Sequence, residues 1–167
     1  MEDFDCVVVG AGWYGLAAAR QYHVTQPDSS LAVYDSQSSL GGTWADERLY
    51  PGLKSNNLLG TYEYPDFPMS SDRFDVKLGD YLSGEAINTY LKAYAKDNGI
   101  ADLIHLNTKV VSAEHQETDD GGWVLTLTTP ESGVARKVFA KRLIIATGLT
   151  SEAFLPHFEG QEVFGDG

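Results

Sequence analysis

Residues 7–15 read VVVGAGWYG, an apolar, β-branched run that breaks into three glycines spaced G-x-G-x-x-G. Phe4 to Val9 suits a strand buried on both faces. From Gly12 onward, GLAAARQYHV favours a helix that stops before the turn-rich TQPDSS. LAVYD at 31–35 makes a second short strand, so strand, helix and strand follow one another as in the βαβ unit of a parallel sheet. In that context each glycine has a task. Gly10 permits the tight turn, Gly12 lets backbone approach a pyrophosphate, and Gly15 lets helix and strand pack closely. The helix N-terminus then offers unpaired N–H groups and a partial positive charge to phosphates. The flanking strand and helix, more than the glycines alone, predict a dinucleotide site.

Asp35 ends the second strand, twenty residues after Gly15. A carboxylate there accepts both ribose hydroxyls and repels a 2′-phosphate, which disfavours NADP at this loop and leaves FAD or NAD. The alternative is a solvated aspartate in a turn. Trp13 and Tyr14 are expected to cover the loop.

Residues 36–80 are rich in Gly, Pro, Ser, Asn and aromatics, with little periodicity. A connection this long is functional or disordered, and the aromatics argue against disorder. SGEAINTYLKAYAKDNGI then predicts a helix, with Ser83 as N-cap and Asn98-Gly99 as its stop. LIHLNTKVVSAE, WVLTLTT and VARKVFA are three short β-like runs, the first two separated by the turn ETDDGG. KRLIIATG adds a further apolar strand running into a glycine. There is no internal repeat or low-complexity segment.

The 167 residues fit one domain, and 43% apolar content with nine Tyr, seven Phe and three Trp supplies a core. Twelve Lys and Arg against 24 Asp and Glu leave a formal charge of −12, which repels nucleic acid and anionic membranes. A single cysteine, Cys6, excludes an internal disulfide and multi-cysteine metal sites, and its place in the first apolar run suggests a buried structural thiol. The four histidines share no ligand spacing, so no metal site is expected. The acidic opening MEDFD and the absence of a long apolar run point to a soluble, cytoplasmic protein.

The second glycine pair, Gly41-Gly42 in YDSQSSLGGTW, bears on the choice between FAD and NAD. VVVGAGWYGLAAAR, VYDSQSSLGGTW, RLYPGLKSNN, TYEYPDFPM and RLIIATG occur in an order that resembles the N-terminal FAD-binding part of class B flavin monooxygenases, the flavin-containing and Baeyer–Villiger group. The resemblance spans nearly the whole chain. It implies an α/β, Rossmann-like FAD-binding domain with a parallel sheet, to which the residues themselves add a small antiparallel β excursion around 107–140.

By position, the resemblance gives Gly10, Gly12 and Gly15 to the FAD pyrophosphate loop and Asp35 to the adenosine ribose. It sets Gly42, Thr43 and Trp44 along the ribityl chain and flavin edge, Val110 beside the adenine, and Thr147 and Gly148 near the phosphates. Asn57, nine residues before Asp66, matches the family's asparagine beside the reactive flavin face, with Asn56 one residue away as the alternative. An amide donates and accepts there without adding charge, although SNN also reads as a turn. Trp44 and the nearby tyrosines read equally as the core of a long loop, and Gly148 as a strand-ending turn.

The activity implied is that of an FAD-dependent monooxygenase, using NADPH and oxygen to oxygenate a nitrogen, sulfur or ketone of a small organic substrate. The chain has no second GxGxxG, so the NADPH domain is expected to be absent and residues 1–167 to form one FAD-binding domain. The family's F-x-G-x-x-x-H begins at Phe158 and Gly160, but Phe164 stands where histidine is required. A sheet lacking a returning segment leaves an edge unprotected, which implies self-association or a completing partner chain. The alternative function is a non-catalytic FAD-binding module or subunit. An NAD-dependent dehydrogenase accounts for neither GGTW nor the late ATG turn.

Overall fold

A computed structural model describes residues 1–117, 121–130, 133–149 and 154–163. Strand β1 (Glu2–Val9) runs through the glycine turn into helix α1 (Trp13–Thr25) and returns as β2 (Leu31–Tyr34). The long connection that follows holds two single 3-10 turns, then β3 (Lys54–Leu58), α2 (Ser71–Phe74) and β4 (Tyr81–Ser83). After α3 (Gly84–Asp97) come β5 (Ile104–His105), β6 (Lys109–His115), β7 (Trp123–Thr128) and β8 (Arg136–Ile145).

One six-stranded sheet has the order β5-β2-β1-β8-β7-β6. The pairs β5/β2, β2/β1 and β1/β8 are parallel, whereas β8/β7 and β7/β6 are antiparallel. The chain is thus an α/β protein of Rossmann type. The expected antiparallel excursion is a continuation of the same sheet beyond β8.

The successive side chains of β1 point to opposite faces and divide the core. Cys6 and Val8 join Leu16 and Ala19 of α1 and Ile87, Leu91 and Ala95 of α3. Val7 faces the other way, with Ala32, Tyr34, Leu125, Leu127, Val138 and Ala140. The antiparallel strands therefore help to close the face that no helix among the described residues covers. Burial pushes the Cys6 thiol up to about 11, as suits a buried structural cysteine.

Helix α3 starts where expected, the Ser83 hydroxyl accepting the Ala86 N–H at 3.1 Å. It stops at Asp97, with Asn98 as C-cap and Gly99 (φ 69°) in the left-handed region beyond it, and the Ile100 N–H donates to the Ala95 carbonyl at 3.0 Å.

Three local expectations need correction. VARKVFA and KRLIIATG are one strand, β8, not two. Lys141 and Arg142 interrupt the apolar pattern, but both side chains are exposed, and Lys141 Nζ donates to Asp5 Oδ1 at 2.7 Å while pairing with β1 continues. LIHLNTKVVSAE is two strands, because Asn107 adopts φ 51° between β5 and β6, a conformation asparagine tolerates. SNN is not a turn. It lies on β3, which pairs with β4 in a separate two-stranded antiparallel sheet with an irregular register. Phe158 is exposed, while Phe164 lies outside the described residues.

Candidate functional site

The parallel strands β1, β2 and β8 end at one cleft of about 600 Å³, lined by Gly10, Asp35 and Thr147 at their C-terminal ends. A crevice outside the carboxyl ends of parallel strands is where α/β sheets bind ligands.

The three glycines divide the work at its floor. Gly10 has φ 103°, and a Cβ on it would overlap the Ala146 carbonyl oxygen. Its N–H donates to the Tyr34 carbonyl at 2.8 Å, joining the turn to the end of β2. A Cβ on Gly15 would strike the Gly10 carbonyl oxygen, so Gly15 seats α1 against the turn from behind and does not line the cleft. Gly12 does line it. Its nearest obstacle would be Gly42 Cα, at 3.3 Å from an added Cβ.

The two glycine turns lock together. Gly42 has φ 60°, and a Cβ there would lie 2.9 Å from Gly12 Cα. Beside it the Gly41 N–H donates to the Ala11 carbonyl at 2.9 Å. At Gly42 the positive φ and the close approach of the Gly12 backbone both require glycine. Gly42, Thr43 and Trp44 form a 3-10 turn on this wall of the cleft.

Gly12 is the N-cap of α1 and brings no side-chain hydrogen bond, and the first turn holds no acid. The first N–H groups of a helix have no partner within it, so α1 presents bare donors and the positive end of its dipole. Leu16 N–H is the first to close, donating to the Gly12 carbonyl at 2.9 Å.

Asp35 is not a solvated turn residue. It is 7% exposed, with Oδ2 accepting the Ala11 N–H at 2.6 Å and Oδ1 accepting the Gln37 N–H at 2.8 Å. Each carboxylate oxygen keeps acceptor capacity beyond its one backbone donor. The Asp35 carbonyl also accepts the Thr108 N–H at 2.8 Å, which brings the start of β6, with Lys109 and Val110, to the cleft. On the far side the Ala146 N–H donates to the Val9 carbonyl at 2.8 Å and leads into Thr147 and Gly148 (φ 77°).

An aromatic stack forms a further wall. Trp13 stacks on Tyr62 with ring centroids 4.0 Å apart and on Tyr64 at 4.6 Å, and Tyr64 stacks on Tyr94 at 3.9 Å. Trp44 Nε1 donates to the Tyr62 hydroxyl at 3.2 Å. Tyr64 and Tyr90 are buried, which raises both phenols, Tyr90 to about 12, and keeps them neutral donors. Their hydroxyls hold the Trp13 and Phe67 carbonyls, each at 2.6 Å. Trp44 both packs on the core and lines the cleft.

Of the residues singled out from sequence, Gly10, Gly12, Asp35, Gly42, Thr43, Trp44, Val110, Thr147 and Gly148 meet at this cleft. Asn57 stands apart, half-buried on β3, its N–H held by Ser55 Oγ at 3.1 Å. Gly41, of the second glycine pair, and Tyr62 line the cleft as well, and so do Gln37, Arg48 and Lys109, which were not anticipated. Arg48 carried a usable signal, a cation close behind GGTW in a strongly acidic chain; Lys109 carried none, because tertiary hydrogen bonds such as Thr108 N–H to the Asp35 carbonyl and Asn107 N–H to the Gln37 carbonyl bring it near. Among the described residues, no group of three or more His, Cys, Asp or Glu is arranged to hold a metal. No helix among them is long and apolar enough to cross a membrane.

Comparison with known proteins bears on this geometry. Residues 8–66, which carry both glycine turns and Asp35, match the NAD(P)-binding Rossmann-like domain. The chain is 42% identical over 164 residues to an FAD-dependent monooxygenase of Pyrenophora dematioidea, covering 96% of this chain and 29% of that protein. It is 37% identical over 161 residues to the FAD-dependent monooxygenase DEP4 of Alternaria brassicicola, covering 96% of this chain and 26% of that one. The chain is homologous to part of the FAD-dependent monooxygenases. It spans between about a quarter and a third of the length of these relatives. Among solved structures, an oxidised steroid monooxygenase bound to NADP superposes with a TM-score of 0.75 at 27% identity, over 96% of this chain and 29% of that one. A cyclohexanone monooxygenase shares the fold with a TM-score of 0.77 at 24% identity, over 97% and 30% of the two chains.

Proposed function

We propose that this cleft holds FAD and that the chain forms the FAD-binding part, as one domain over residues 1–167, of a monooxygenase of the class B type. The reading rests chiefly on the uncapped, acid-free start of α1 opening on the same cleft as the buried Asp35. The first favours an anion and the second an unphosphorylated ribose, which together suit a dinucleotide without a 2′-phosphate. The cradle also fits. At Gly10 and Gly12 the floor carries no side chain, so phosphate oxygens can approach the N–H groups of Gly12 and the start of α1 unobstructed.

In this reading Gly10, Gly12 and the start of α1 hold the pyrophosphate, Gly15 keeps the helix seated, and Asp35 accepts from the ribose. Val110 flanks the adenine, while Gly42, Thr43, Trp44, Thr147 and Gly148 enclose the rest. Bound FAD supplies reversible two-electron chemistry and, once reduced, reaction with oxygen. The chain's own residues bind, orient and exclude water; Trp44 and the Trp13–Tyr62 stack give the cleft an apolar wall. Asn57 is proposed as the uncharged polar contact near the flavin ring. Among the described residues none hydrogen-bonds its side-chain amide, which leaves the amide for a ligand. NADPH is the proposed reductant and a small organic molecule the substrate. With one GxGxxG loop in these residues, the nicotinamide site is proposed to come from other polypeptide.

Titration with FAD and with NAD, followed by flavin fluorescence and calorimetry, tests the cofactor. One FAD per chain, displaced by ADP, is expected; a preference for NAD would overturn the reading. Addition of NADPH then tests catalysis by flavin bleaching.

A second reading, a non-catalytic module completed by another chain or another copy, has one observation in its favour. The described ladder between β7 and β8 ends at Ala140, so Lys141 to Ile145 are paired with β1 alone. Ile145 is 68% exposed there, and Leu149 beyond it is also exposed. Stable yellow protein that NADPH does not bleach until a second polypeptide is added would establish this alternative.

A further inference from the structure

Glu47 does not line the cleft, yet its carboxylate gathers the loop that forms one of the cleft's walls. Oε1 accepts the Ser38 N–H at 2.7 Å, the Ser38 hydroxyl at 3.1 Å and the Ser39 N–H at 3.4 Å. Oε2 accepts the Ser39 hydroxyl at 2.5 Å, and that hydroxyl accepts the Asp46 N–H at 2.8 Å. One carboxylate thus ties residue 38 to residue 47.

The residues just outside the tie are Gln37 and Arg48. Both line the cleft, and Arg48 Nε donates to Gln37 Oε1 at 3.0 Å. Inside the tie, the Gly41 N–H reaches the Ala11 carbonyl of the first glycine turn. A surface loop of serine and glycine has many conformations to lose. Hydrogen bonds to an ionised acceptor are among the stronger means of fixing one.

We propose that Glu47 is a positioning residue: by gathering Ser38 and Ser39 it holds Gln37, Gly41 and Arg48 in place to receive the nucleotide half of FAD. The inference rests on the FAD reading of the cleft. It requires Glu47 to touch no part of the cofactor and to act only through the loop. Glutamine at this position keeps one acceptor oxygen and loses the charge, so it restores part of what alanine removes.

The test uses the full chain and its Glu47→Gln, Glu47→Ala, Ser39→Ala and Glu47→Gln/Ser39→Ala variants, titrated with FAD and with ADP. Glu47→Ala is expected to weaken both ligands about tenfold or more, with Glu47→Gln in between. The double variant is expected to bind no worse than the weaker single one, because both changes open the same tie. Hydrogen exchange at the Ser38, Ser39 and Gly41 amides should quicken while β1 and β2 stay protected, separating loop release from general loosening. If wild type binds FAD and all variants bind it equally, or if the two changes are additive, the positioning role is overturned. Failure of wild type to bind FAD would instead remove the reading of the cleft.

Discussion

At the scale of single residues, the glycines of the first turn separate stability from binding. Gly15→Ala forces a Cβ into the Gly10 carbonyl oxygen, so α1 must lift from the turn. A loss of at least about 2 kcal/mol is expected, visible as a lowered thermal midpoint. Gly12→Ala meets only Gly42 Cα at 3.3 Å, a contact that small shifts relieve. It should fold with a nearly unchanged midpoint yet lose FAD affinity, because the methyl group occupies the approach to the phosphates; equal affinity would remove Gly12 from the binding floor. Asp35→Asn replaces an acceptor of two backbone N–H groups with an amide that has only one oxygen. It should cost about 1.5–3 kcal/mol of stability as well as affinity, measured by denaturant unfolding and FAD titration. The glycines and the acid were legible in sequence because a βαβ turn assigns each a fixed task. The lock of Gly42 on Gly12 was not legible, because it joins positions thirty residues apart whose contact only the folded loop creates.

At the scale of elements, α1 offers a test in which stability and binding move in opposite directions. Tyr14 is 80% exposed in the first turn of the helix and lines the cleft. Tyr14→Glu places an anion at the positive end of the helix dipole, which should stabilise the free protein by about 0.5 kcal/mol. The same charge repels a pyrophosphate, so FAD affinity should fall while Tyr14→Gln stays close to wild type. Parallel changes in midpoint and affinity would show that the helix start binds no anion. Sequence gave β1, α1, β2 and α3 clearly, because their apolar spacing and stop signals agree. It divided β8 wrongly, since Lys141 and Arg142 look like a boundary when the neighbouring strand and Asp5 are unknown. β3 was missed for a related reason: Lys54-Ser55-Asn56-Asn57 has no strand-like composition, and pairing with β4 makes it a strand.

At the scale of the whole molecule, two carboxylates set the response to acid, Asp5 joining distant strands and Glu47 closing its own loop. Hydrogen bonds from Lys141, then from the Ser30 N–H and hydroxyl, lower the Asp5 carboxyl well below its usual range and link β1 to β8. Burial alone would raise the Glu47 carboxyl, but donation from Ser39 and Ser38 lowers it to about 2. Both groups are held more strongly as anions in the folded than in the unfolded chain. Their stabilisation is therefore complete above the ordinary carboxylate range and is lost as pH falls through it toward the folded values. Thermal midpoints should be level between pH 7 and 5 and decline below about pH 4.5, with a shallower decline in Glu47→Gln. Phosphorus-31 resonance of FAD mixed with the chain tests most directly whether the start of α1 receives a pyrophosphate. Both phosphorus signals should leave their free positions, saturate at one equivalent, and return toward them in Tyr14→Glu. Signals that stay at their free positions in excess protein, or that shift equally in that variant, would contradict the account.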